Sequence, residues 1–211
     1  MTVIQHVPWP KIARLNRNIV ITEKIDGTNA AIGIVKADDL TDSNNGCLFV
    51  ADDGQAYVIY AQSRKKLITP QDDNAGFAEW VYNNAFELTQ VLGEGLHHGE
   101  WWGSGINRGY GLKNGEKRFS LFNTPRYGDP LKFNLEPLRE IGLDAVPVLY
   151  EGLFSEVAIK DALYKLQMEG SQASLGYPNP EGIIVYHIAA GVPFKVTIVG
   201  DEKPKGSNEQ G

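Results

Sequence analysis

The chain has 211 residues, of which 42% are hydrophobic, and its 26 acidic and 20 basic side chains give a net charge of −6. That length supports one good core or at most two small ones, and the apolar fraction excludes a wholly disordered chain. The acidic balance argues against a protein that coats nucleic acid non-specifically, although local basic clusters can still handle a nucleic-acid end. A single cysteine, Cys47, excludes an internal disulfide and argues against a thiolate metal cage. The N-terminus MTVIQHVPWPK lacks the apolar run of a signal peptide. No stretch approaches the ~20 apolar residues that span a bilayer. A soluble, cytoplasmic protein without membrane contact is expected.

In chain order, Asn18 to Ile21 leads into Glu23, Lys24 and Ile25, then an Asp26-Gly27 turn signal and a second apolar run from Ala30 to Val35. Two short β-rich runs joined by a glycine-containing turn predict a hairpin. Asp38 to Gly46 is a polar loop. Leu48 to Val50 and Tyr57 to Ala61 are predicted strands, with Asp53-Gly54 as the turn between them. Phe77, Trp80, Val81, Ala85, Leu88, Val91 and Leu92 keep helical spacing up to Gly93, a terminator. Leu96 to Trp102 and Phe119 to Phe122 are again strand-like, and Leu135 to Ile141 is a short amphipathic helix. Ser155 caps a helix running to about Met168, with Ile159, Leu163 and Leu166 on one face. Ile183 to Ile188 and Val192 to Val199 are late strands separated by Ala189-Ala190-Gly191. The sum is an α+β fold with antiparallel β-sheets and flanking helices. It forms one domain over 1–200, with a polar, frayed tail over 201–211.

The sharpest local feature is Glu23-Lys24-Ile25-Asp26-Gly27-Thr28-Asn29. A lysine inside an apolar β run is unusual, because burial and nearby cations favour the neutral, nucleophilic amine. Gly27 leaves room for a phosphate to approach the backbone. The heptapeptide alone also fits an exposed edge-strand lysine followed by an ordinary Asp-Gly hairpin turn.

Lys-x-Asp-Gly is the nucleophile motif of the covalent nucleotidyltransferases: DNA ligases, RNA ligases and mRNA-capping enzymes. The string Thr22 to Asn29 resembles the ATP-dependent RNA ligases of the phage T4 RNA ligase 2 type. Further stretches resemble that superfamily's motifs, in order. Ser63-Arg64 resembles motif Ia, Gly99-Glu100-Trp101-Trp102-Gly103 motif III, and Phe119-Ser120-Leu121-Phe122-Asn123 motif IIIa. Pro180-Glu181-Gly182-Ile183-Ile184-Val185 resembles motif IV and Phe194-Lys195-Val196 the start of motif V. The resemblance covers residues 20–200. It implies a nucleotidyltransferase (adenylyltransferase) domain of the ligase and capping-enzyme type.

The resemblance implies roles residue by residue. Lys24 attacks the α-phosphorus of ATP and becomes a lysyl-AMP phosphoramidate. Glu23 and the backbone near it, including Ile25, meet the adenine edge. Arg64 and Glu100 hold the ribose and the sugar-phosphate end, an acid suiting hydroxyls and an arginine suiting phosphate. Phe122 stacks on adenine, while Phe119 and Leu121 point to the other face. Asn123 stands where the family usually has Asp. Glu181, with Asn29, binds a divalent metal, Mg2+ or Mn2+, that neutralises phosphate charge. Lys195 stabilises charge on the α-phosphate. Thr197 stands where motif V normally has a second lysine, for which Lys203 or Lys205 is a candidate substitute.

His97-His98 has no spaced partner for a metal site, and Arg64-Lys65-Lys66 and Lys113 to Arg118 are solvated faces or phosphate tracks. The expected activity is sealing of an RNA 5′-phosphate to a 3′-hydroxyl, in repair of RNA ends or of a nicked duplex. The alternatives are an ATP-dependent DNA ligase, a GTP-using capping enzyme, or a non-catalytic module that binds nucleic-acid ends. About a dozen residues follow Val199, so the expectation is a minimal form without a C-terminal domain, with a separate protein partner in its place.

Overall fold

The computed structural model describes residues 5–39, 46–50, 54–128 and 133–201. Two β-sheets hold the chain. The first contains β1 (Asn18–Lys24), β9 (Val148–Leu153), β10 (Gly182–His187) and β11 (Val192–Thr197), in the order β11-β10-β1-β9. The second contains β2 (Thr28–Lys36), β3 (Cys47–Val50), β4 (Ala56–Ser63), β6 (Gly95–Gly103), β7 (Lys117–Leu121) and β8 (Leu143–Ala145), in the order β3-β4-β2-β6-β7-β8. A short β5 (Leu67–Ile68) pairs with β4. Pairing is antiparallel except between β7 and β8, which run parallel.

Each sheet buries one face under helices. Ala30, Ile32 and Ile34 of β2 join Ile59, Trp101, Phe119 and Leu121 beneath α1 (Phe77–Asn83) and α2 (Ala85–Leu92). There the rings of Phe77, Trp80, Trp101 and Phe119 meet at centroid separations of 5.0–6.0 Å, in the tilted arrangements that aromatic quadrupoles favour. Ile19 and Ile21 of β1 and Ile183 and Val185 of β10 pack against Ala162 and Leu166 of α5 (Glu156–Glu169). Ser155 caps α5 as expected, its hydroxyl accepting from the Ala158 amide at 3.2 Å.

The predicted helix from Phe77 to Leu92 is two helices. Asn84 lies between them with φ −116° and ψ 24°, and its side-chain amide donates to the Trp80 carbonyl at 2.7 Å. An Asn that bonds the backbone in this way competes with the helical ladder and ends it. Two further helices are short: α3 (Thr124–Tyr127) and α4 (Glu136–Arg139), the latter inside the stretch expected from Leu135 to Ile141. The expected tail lies outside the described residues except for Asp201, as do Asp53 and the middle of the 38–46 loop.

The predicted hairpin across Asp26-Gly27 does not form. β1 pairs with β9 and β10, whereas β2 pairs with β4 and β6. Ile25, Asp26 and Gly27 instead carry the chain from one sheet to the other. Their amides close no turn: Asp26 N–H donates to the Tyr110 hydroxyl at 3.0 Å, and Gly27 N–H donates to Glu100 Oε1 at 3.0 Å. Glycine is required here for close approach. A Cβ on Gly27 would lie 2.8 Å from Trp102 Cβ, and closer still to the Trp101 carbonyl oxygen. Gly27→Ala should therefore lower stability by about 1–3 kcal/mol, as overpacking does. Urea unfolding of the variant beside wild type measures this.

Candidate active site

β1 ends on Lys24. Because side chains alternate across a strand, Ile19, Ile21 and Glu23 face α5, and Thr22 and Lys24 face the other way. Register places Lys24 opposite Gly182, and Gly182 opposite Thr197. The neighbouring row on the same face is Thr22, Ile184 and Lys195. Glu181, just before β10, brings Oε2 to 2.5 Å from Lys24 Nζ, with the two side chains only 9% and 20% exposed. The amine's close partner is thus an anion. Lys195 is exposed on the Lys24 face, one strand beyond β10. Thr197 is tied into its own turn, where its amide and hydroxyl reach Asp201. Lys203 and Lys205 lie outside the described residues.

Glu100 of β6 sits opposite both Asn29 and Ser120. Its Oε1 accepts from the Gly27 amide, and its Oε2 accepts from the Asn29 side chain at 2.7 Å. Burial pushes this carboxyl up to about 7, against the Gly27 amide, the Lys24 charge and the Asn29 hydrogen bond, which favour the ionised form. Asn29, Gln62, Arg64, His98 and Phe122 then line an open cleft of about 280 Å³. Phe122 follows β7 and is 42% exposed, while Phe119 and Leu121 are buried on the far face, as expected. Asn123 caps α3, its side chain accepting from the Arg126 amide at 3.2 Å. Asn and Asp serve equally well in that position.

The side chains of two residues expected near the nucleotide are turned into the interior. The Ile25 side chain is buried with Trp102, Tyr110 and Val146, which leaves only its backbone for a ligand. The Glu23 carboxylate is 1% exposed and accepts from the Ser171 hydroxyl at 2.6 Å and the Gln172 and Ala173 amides at 2.7 and 2.9 Å. Burial raises its pKa, and those three donors oppose the rise. It anchors the segment after α5, which leaves the neighbouring backbone as the group free to meet a base edge.

The histidine pair divides between the core and the cleft, which His98 lines. His97 is buried between the Tyr127 hydroxyl at 2.7 Å and the Gly93 carbonyl at 2.9 Å, and burial pulls its pKa to about 4. Lys66 pairs with Asp72 and Arg118 with Glu116, while Arg64, Lys65 and Lys113 are exposed. A larger cavity of about 570 Å³ lies along β6–β8, beside Trp102 and Gln172. Two of its arginines are neutralised by Glu116 and Asp144. Among the described residues, no group of three or more His, Cys, Asp or Glu could hold a metal ion. Glu181 and the Asn29 amide suit an ion of the Mg2+ type, which keeps most of its ligands as water and phosphate oxygens.

Asn107, Arg108 and Tyr110, between β6 and β7, were not singled out in the sequence. Asn107 donates to Asp26 Oδ1 at 3.1 Å and to the Gly27 carbonyl at 2.6 Å, and Arg108 Nε donates to Asp26 Oδ2 at 3.1 Å. The available signal was Asn107, Arg108 and Tyr110 set among four glycines from Gly103 to Gly111, beyond what a plain loop needs.

Two sheets meeting at a strand-end lysine define a nucleotidyltransferase-like arrangement. The chain belongs to the RNA ligase family, whose model matches residues 17–197. No curated protein matches it by sequence. In fold it is similar to solved structures of a Naegleria gruberi RNA ligase. A variant with AMP and Mn gives a TM-score of 0.53 at 18% identity, over 87% of this chain and 50% of that one. The ligase with PPi gives 0.52 at 17% identity, over 86% and 50%. A variant with ATP and Mn gives 0.51 at 18% identity, over 86% and 50%. The chain therefore spans about half the length of the structures it matches. Among the described residues, no helix is long and apolar enough to cross a membrane.

The raised Glu100 pKa has a sign. Between the ordinary value of 4.5 and about 7, the folded state holds this proton more tightly than the unfolded state. Stability from this group therefore falls as pH rises through that window. Glu100→Gln should remove that part of the slope, so the stability of wild type relative to the variant declines from pH 4.5 to 7. Urea titrations at pH steps across that window, compared between the two proteins, measure it.

Proposed function

We propose that this chain is the catalytic part of an ATP-dependent RNA ligase that works through a covalent lysyl-AMP. The reading is carried by one observation, the 2.5 Å pairing of Lys24 with Glu181 at facing strand ends. The crossing backbone beside it is held by Glu100. Lys24 Nζ, its proton passed toward Glu181, attacks the α-phosphorus of ATP. A P–N bond forms, the bond to the bridging oxygen breaks, and pyrophosphate leaves. AMP then passes to the 5′-phosphate of an RNA end, and a 3′-hydroxyl displaces it to seal the strand.

The cleft supplies the nucleotide contacts. Phe122 offers an exposed ring for the base and Arg64 a guanidinium for phosphate. Lys195 shares the Lys24 face and offsets charge developing on the α-phosphate. Glu181 and Asn29 would hold a divalent cation, which supplies neutralisation of phosphate charge. Exposed Arg64, Lys65 and Lys113 are the surface for the RNA backbone. Contacts of that kind weaken as salt rises.

Incubation with ATP and Mn2+ should add the mass of one AMP to the intact protein. Lys24→Ala should abolish the addition while the far-UV spectrum stays that of wild type. Labelling that persists in Lys24→Ala would remove the nucleophile assignment. Adenylylated protein that joins DNA 3′-hydroxyl ends as fast as RNA ends would make it a general polynucleotide ligase.

A further inference from the structure

Arg108 grips the chain beside both members of the nucleophile pair. Its Nε donates to Asp26 Oδ2 at 3.1 Å, two residues beyond Lys24. Its Nη1 donates to the Asn179 carbonyl at 3.0 Å, with the Pro180 carbonyl at 3.4 Å, next to Glu181. One rigid, planar cation therefore spans the crossing and the segment that enters β10, just beyond the last ladder pair, Lys24 with Gly182. A surface ion pair contributes little to stability. This one differs because the second set of acceptors is backbone on another segment, so the guanidinium fixes a distance as well as neutralising a charge. A lysine, a point charge on a flexible stem, cannot match that fork of donors.

The loop that presents Arg108 is itself built to hold position. Asn107 and Tyr110 are non-glycine residues with φ of 42° and 48°, in the left-handed region that costs energy for side chains with a Cβ. Both are bonded to the crossing: Asn107 to Asp26 and the Gly27 carbonyl, Tyr110 to the Asp26 amide. Tyr110 is fully buried against Trp102 and Tyr177. Strain at two of the three bonding residues is offset by the contacts they make to the crossing, and Arg108 extends the grip to the Asn179 and Pro180 carbonyls.

Given the ligase chemistry proposed above, we infer that Arg108 is a positioning residue for adenylylation, locking the Asp26-Gly27 crossing to Asn179-Pro180 so that Lys24 Nζ is held for in-line attack. It does not touch the nucleotide. Loss of the clamp therefore slows the chemical step and leaves ATP binding almost unchanged.

The test has two arms on the full chain. In the first, amide hydrogen exchange is measured without nucleotide. Arg108→Ala should speed exchange at Asp26 and Gly27 by about tenfold or more while the β4 amides stay at the wild-type rate, as local opening without global unfolding requires. In the second, single-turnover labelling by ATP and Mn2+ should slow by about 10–100-fold in Arg108→Ala, the penalty expected of a small misplacement. The half-saturating ATP concentration should change by less than about threefold, as for an interaction absent from ground-state binding. Arg108→Lys should stay nearer to Ala than to wild type. Unchanged exchange at Asp26 and Gly27 overturns the clamp. So does a normal labelling rate, or a defect that lies wholly in half-saturation. Should wild type itself fail to label, the ligase reading falls, and the exchange arm alone decides whether Arg108 clamps the turn.

Discussion

The site depends on how the chain satisfies its backbone while crossing between two sheets. A buried amide left without a partner costs about 1–3 kcal/mol, and a strand that leaves its sheet gives up its ladder partners. Asp26 and Gly27 recover theirs from side chains of the second sheet and its loop, the Tyr110 hydroxyl and Glu100 Oε1. The relative placement of the sheets near Lys24 is thereby set by two hydrogen bonds. It is set also by the absence of a side chain at Gly27, where the crossing lies against β6. Lys24 is the last residue before that crossing, so its amine inherits the geometry.

Charge follows from the same placement. Lys24 is flanked by Glu181, its ion-pair partner, and influences Glu100, so two carboxylates share the field of one ammonium. Removing one member of a buried pair leaves an uncompensated charge, at a typical cost of about 3–5 kcal/mol. Burial pushes the Glu100 carboxyl up to about 7, with the nearby Glu181 charge only the smallest contribution to the rise. Glu100 nevertheless accepts two hydrogen bonds, and these hold the crossing amide and Asn29 in fixed relation to the cleft.

Much of the fold was legible because its strands carry strong local signals. β1, β2, β4, β6 and the β10–β11 pair are apolar runs bounded by turns, and α5 announces itself through Ser155 and its spaced apolar residues. What failed was pairing. Asp26-Gly27 reads as a hairpin turn because the turn propensity is local, whereas its fate is decided by Trp101, Trp102, Glu100 and Tyr110, more than 70 residues away. β8 and β9 escaped notice for another reason. They are short, half-exposed and separated by Pro147, so neither alternation nor a long apolar run marks them. Of the site, Lys24 stood out as a lysine in an apolar run before Asp-Gly, and Glu100, Phe122 and Glu181 through the resemblance to the ligase motifs. Arg108 did not, because its partners are mostly backbone carbonyls, and a carbonyl acceptor leaves no trace in a residue pattern.

Glu23 shows how one strand can serve two tasks. It adjoins Lys24 in sequence, which invited a role beside the nucleotide, yet adjacent residues on a strand point to opposite faces. On the α5 side, its carboxylate takes three donors from the segment 171–173 and pins the chain that leads from α5 toward Glu181. The nucleophile and the anchor of its partner's segment are therefore successive residues of β1, and neither can shift without the other. The carboxylate, buried with three donors, is engaged on the α5 side of the strand. Base recognition in the proposed reaction then falls to the Phe122 ring and to backbone groups near Ile25. Stacking is tolerant of base identity, so any preference between adenine and guanine must come from that backbone.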